Sequence, residues 1–201
     1  MKSNLLYLLI FASVLLACNS STPKTDEPKF ETYTSKEIGW TIEIPKGYKP
    51  LSQNRIEANE KKGKEALGKV AEGEVSNTNL IHLVNFQKNQ FNSLSATAEP
   101  YDLSRDGEYI ANNQLVKKLI FDTYTNQKIK VDTLSGTAII AGNTFYTFNI
   151  KLYGPSGEVL MNQIMYNQLI KGYDFGVNIN YNNETDKDIL INAFKNSKFS
   201  K

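Results

Sequence analysis

One cysteine, one histidine and one tryptophan stand in a chain of 201 residues, and this scarcity closes off much chemistry. With Cys18 alone, no disulfide can form within the chain. His82 is the only histidine, so every imidazole-dependent mechanism must pass through it. Gly-x-Ser-x-Gly, the Walker loop, Gly-x-Gly-x-x-Gly and His-Glu-x-x-His do not occur. Charge of one sign is also missing. Once Lys2 is set aside, basic and acidic residues nearly balance, and no basic patch interleaves with aromatics, which argues against a nucleic-acid partner. Neither a cofactor nor a metal centre is expected.

What is present begins at the N-terminus. Met1–Asn4 carries one lysine, and Leu5–Leu16 is an almost unbroken apolar run. As a helix it would span under about 20 Å, too short for the roughly 30 Å hydrocarbon core. It reads as a signal-peptide core. Leu15-Leu16-Ala17-Cys18 resembles the signal of bacterial lipoproteins, which implies removal of residues 1–17 and acylation of Cys18. An acylated Cys18 leaves no thiol for a nucleophile or a zinc site. Residues 18–29 carry two prolines and no large apolar side chain, so they are expected to form a flexible tether. Residues 30–201 then suffice for one domain with one core.

Within that domain, residues 128–182 read as four consecutive strands: Lys128–Ile140, Thr144–Tyr153, Glu158–Ile170 and Tyr173–Asn182. Glycine-containing turns join them, the pattern of an antiparallel meander. Glu31–Ser35 and Trp40–Ile44 form an opening hairpin, and Pro45 ends its second strand. Ser52–Glu72, rich in Glu, Lys and Ala, predicts a helix with a thin apolar stripe, a lid on the sheet. Asn79–Lys88 reads as one central strand and Gln90–Tyr101 as a polar loop. Ser104–Tyr124 predicts a second helix. Ile189–Phe199 predicts a third, with Thr185-Asp186-Lys187-Asp188 at its start. The class is α+β: an antiparallel sheet of about six to seven strands covered by about three helices.

Few residues suggest chemistry. By simple alternation His82 shares a face with Leu80, Val84 and Phe86, company in which histidine is usually packed. Asp102-Leu103-Ser104-Arg105-Asp106-Gly107 resembles the first half of a calcium loop, but Asn113 stands where the closing glutamate is needed. Helix capping by Ser104 or Asp106 explains it better. On the last strand Tyr173, Phe175, Val177, Ile179 and Tyr181 point one way. Asp174, Gly176, Asn178, Asn180 and Asn182 point the other, towards water or a polar partner. Asp174, Asn178, Asn180 and Asn182 are therefore the candidate binding face, since carboxamides both donate and accept.

The order hairpin, helix, strand, helix, meander, helix resembles the PsbP-like fold, an α/β/α sandwich. So do two segments, Tyr33-Thr34-Ser35 leading into Gly39–Tyr48 and the closing Ala193–Phe199. That fold is shared by photosystem accessory proteins, a Ran-binding protein and several envelope lipoproteins. The resemblance implies an accessory or binding role and no catalytic residues. In lipoproteins of the enteric type, Asp after the acylated cysteine favours inner-membrane retention. Asn19 stands there, which points to the outer membrane, facing the periplasm.

The leading expectation is a non-enzymatic, lipid-anchored binding or assembly module that meets the membrane through its lipid and an envelope protein or small ligand through its domain. One alternative is a small-ligand carrier, marked by an apolar cavity beneath the first helix. The other is a hydrolase built on carboxylates and hydroxyls, for which the sequence offers no convergent acid pair.

Overall fold

A computed structural model describes residues 31–68 and 79–200. The signal segment, Cys18, the tether and Val70 lie outside the described residues.

Among the described residues ten strands and four helices follow one another: β1 (Thr32–Ser35), β2 (Trp40–Glu43), β3 (Lys49–Pro50), α1 (Gln53–Gly68), β4 (Ile81–Asn89), β5 (Asn92–Pro100), α2 (Leu103–Asp106), α3 (Tyr109–Asn126), β6 (Val131–Ile140), β7 (Asn143–Tyr153), β8 (Val159–Ile170), β9 (Tyr173–Tyr181), α4 (Glu184–Lys195) and β10 (Lys198–Phe199). The main sheet has seven strands in the order β3-β4-β5-β9-β8-β7-β6, antiparallel throughout. The α+β class and the meander are as the sequence predicts. The opening hairpin, however, joins β10 in a separate three-stranded sheet.

Two meander turns rest on left-handed pairs: Ala141-Gly142 at φ 47° and 81°, and Lys171-Gly172 at 52° and 80°. Such pairs match the twist of the strands they join.

The largest departure from expectation is Gln90–Tyr101. It is no loop but β5, paired along its length with both β4 and β9. Its inward positions are Leu94, Ala96 and Ala98, small enough to look polar overall beside Ser93, Ser95 and Thr97. The turn before it carries no glycine. Instead Asn89 Oδ1 accepts from the backbone N–H of Phe91 at 2.9 Å and of Asn92 at 3.1 Å, closing it by a side chain. β4 consequently lies next to the sheet's edge, flanked only by two-residue β3, and is not central.

The helices shift as well. Gly107, at φ 78°, separates the single turn α2 from α3, splitting the expected second helix. α4 begins at Glu184 under an Asn183 cap, whose Oδ1 accepts from Asp186 N–H at 2.9 Å. Phe199 belongs to β10.

The sheet's two faces are unlike. One packs against α4 and the small sheet through Trp40, Phe145, Tyr166, Phe175 and Phe194, with Trp40 and Phe175 ring centres 5.0 Å apart. Across the other, α3 covers the β6-β7-β8 half through Ile120 and Tyr124 on Phe148, Ile150 and Leu152. The β4-β5-β9 half is polar and lies under α1. Among the described residues, no helix is long and apolar enough to cross a membrane.

Candidate functional site

The polar half of the sheet is floored by side chains that register places side by side. Asn178 pairs with Ser95, Asn180 with Ser93 and Gly176 with Thr97 across β5–β9; Asn85 pairs with Ser95 and Gln87 with Ser93 across β4–β5. Because side chains alternate strictly, these residues share one face while Phe175, Val177 and Ile179 take the other.

His82 joins this floor against simple alternation. A register shift between His82 and Val84 places an extra residue in β4, so His82 sits opposite Thr97, apart from Val84 and Phe86. The sequence gives no sign of such a bulge.

α1 roofs the floor at a distance. Its low apolar content lets it contact α3 while it meets the sheet through a polar bond, Glu60 Oε2 to His82 Nε2 at 3.1 Å. Lys64 holds the other Glu60 oxygen at 2.6 Å, and the two bonds keep the Glu60 carboxyl below the usual range. Between roof and floor lies a cleft of about 380 Å³, lined by Arg55, Ile56 and Asn59 from α1 and by His82, Asn85, Ser95, Thr97, Asn178 and Asn180 from the sheet. Asn178 Oδ1 and Asn180 Oδ1 are buried with no hydrogen-bond partner among the described residues, which is costly for carbonyl oxygens.

The four residues of the expected binding face therefore part company. Asn178 and Asn180 line the cleft. Asp174 lies deeper, accepting from Tyr109 Oη at 2.8 Å and Asn167 Nδ2 at 3.2 Å. Asn182 Oδ1 accepts from Asn92 Nδ2 at 3.0 Å, tying β9 to the start of β5. The polar face of β9 is roofed by helices, not openly solvated, because β5 widens the sheet beneath α1.

One acid pair that the sequence conceals does exist: Glu99 stands directly across from Asp174. Burial raises both carboxyls, and the Asp174 charge raises Glu99 further. Neither lines the cleft. In the half calcium loop, Asp102 is the cap in place of Ser104 or Asp106, its Oδ1 accepting from Ser104 N–H at 2.9 Å. Asp106 pairs with Arg105, which brings its carboxyl down to about 2. Asn113 is buried on α3.

The cavity beneath α1 is thus polar, contrary to the apolar one a lid was expected to cover. A more apolar groove of about 540 Å³ lies elsewhere, around Phe91, Leu152, Leu160 and Met161.

No family model and no curated protein matches the sequence. Among solved structures, the chain is similar to the solution structure of cyanobacterial PsbP (CyanoP) from Synechocystis sp. PCC 6803. The TM-score is 0.56 at 10% identity, over 85% of this chain and 92% of that one. The fold is PsbP-like. At that identity the likeness reaches the PsbP-like architecture alone, and the cleft must be read from its own residues.

Proposed function

We propose that this protein is a non-enzymatic binding or accessory module of the cell envelope, anchored through a lipid on Cys18, with the cleft beneath α1 as its binding site. The observation that carries the reading is the cleft floor, where Asn178 and Asn180 hold buried carboxamide oxygens with no partner among the described residues, under a helix with little apolar contact to the sheet. Such a site binds by hydrogen bonding and offers no activated nucleophile. The hydrolase alternative would need the Glu99–Asp174 pair, but Tyr109 and Asn167 already engage Asp174. The membrane address, the outer membrane with the domain facing the periplasm, follows the Asn19 argument and belongs to the same proposal.

A thermal-shift screen of chemically varied small solutes tests the binding site. Stabilisation by some solute, lost in Asn178→Ala/Asn180→Ala, supports it; indifference of the wild type to every class overturns it. For the anchor, Cys18→Ala is expected to abolish incorporation of labelled palmitate and release the protein from membranes. Continued labelling of the variant would sink that part.

A further inference from the structure

We infer that the occupant of the cleft is a compact, neutral, polyhydroxylated molecule, a polyol or a small sugar. This rests on the cleft being the binding site and goes on to name the chemistry it accepts.

The floor is built from carboxamides and hydroxyls: Asn85, Ser95, Thr97, Asn178 and Asn180. Asn180 already uses one end of its carboxamide on Ser93 Oγ at 3.3 Å. Whichever way round that group sits, Ser93 satisfies one polar atom and the other is left over. An alcohol suits either case, since each hydroxyl donates one hydrogen bond and accepts others. A carboxylate or an ammonium suits only one. Rotation about χ2 of asparagine is soft, so either end can be turned to the cleft at small cost.

Charge points the same way. The Glu60 carboxylate is already engaged by Lys64 and His82, and Arg55 sits on the exposed rim. The strands offer only neutral carboxamides and hydroxyls beside His82, so an ion resting on the floor would lose hydration with Arg55 at the rim as its nearest unengaged charge among the described lining residues. Shape narrows the class further. Among the described residues no Phe, Tyr or Trp lines the cleft, so a nucleobase or an aromatic amine finds no ring there to stack on. Leu51 and Ile56 offer apolar contact for the C–H faces of a saturated ring or chain. A cavity of about 380 Å³ stands near the small end of ligand sites.

The test uses the full-length protein in a sugar-free zwitterionic detergent. Glucose, sorbitol and N-acetylglucosamine serve as neutral probes, with glucuronate and tryptophan as charged and aromatic counterparts. Saturation-transfer NMR and calorimetry give the affinities. Saturable binding of at least one neutral probe is expected, with glucuronate no tighter than glucose, and Asn178→Ala should weaken it about tenfold. Should that variant misfold, Thr97→Val removes a floor hydroxyl while keeping the side chain's shape. No saturable binding of any neutral probe, tighter binding of glucuronate or tryptophan, or affinities unchanged in folded variants would each overturn the inference. Charged solutes that bind in an Asn178-dependent way would leave the binding module standing and remove only the polyol. Silence from every solute would remove both.

Discussion

The indole Nε1–H of Trp40 donates to Ser197 Oγ at 2.8 Å, joining two buried side chains separated by 157 positions. The Ser197 hydroxyl in turn donates to the Phe194 carbonyl at 2.6 Å, so one hydroxyl satisfies the core indole and the end of α4 together. Ser197→Ala leaves the indole N–H buried and unpaired. It should lower unfolding free energy by about 1–3 kcal/mol, read from urea titrations with an unchanged slope.

Two aspartates, Asp186 buried and Asp174 half-buried, should respond to acid in opposite senses. Burial pushes Asp186 up, but bonds from Asn183, Lys88 and Tyr48 outweigh it and hold the carboxyl below its ordinary range. Its contribution is therefore present above the unfolded value of about 4 and is lost as pH falls through the folded one. For Asp174, burial dominates and the carboxyl is raised. Its contribution is present below the unfolded value and disappears as pH rises through the folded one. Stability measured against pH should show Asp186→Asn with a shallower acid loss than wild type. Asp174→Asn, which keeps an acceptor for Tyr109, should be more stable than wild type at neutral pH. Parallel profiles for all three proteins would contradict both assignments.

The bond from Glu60 to His82 is the polar fastening between α1 and the sheet. Glu60→Ala should speed amide exchange within Gln53–Gly68 by about two- to fivefold, as expected for a partly exposed pair, and leave β9 protected as before. Equal acceleration in both elements would show instead that α1 is not separately fastened.

The sheet's edges differ in exposure. β3 is two residues long and ends in Pro50, whereas β6 presents ten residues with Asp132 as their only charge. Leu134 and Ile139 on it are 70% and 74% exposed. Leu134→Lys should reduce light scattering during refolding while shifting stability by less than about 0.5 kcal/mol.

The meander was legible because its turns advertise themselves: Ala141-Gly142-Asn143, Gly154-Pro155-Ser156-Gly157 and Lys171-Gly172 stand between β-rich runs. β5 was hidden because alanine and serine carry little periodic contrast and because Asn89, not a glycine, makes its turn. Of the cleft, Asn178 and Asn180 followed from alternation alone. His82 did not, since a bulge reverses the face and leaves no mark in composition. Nor did Glu99 and Asp174, which lie 75 positions apart in the numbering and meet only through the β5–β9 register.

The chain enters the described structure at β1, in the small sheet, on the face that carries Trp40 and α4. α1 and the cleft occupy the reverse face. A lipid on Cys18, as proposed, therefore leads into the molecule from behind. The proposed anchor and the cleft thus lie on opposite faces of the domain, so a flexible tether running from β1 towards a bilayer has no need to pass across the mouth of the cleft.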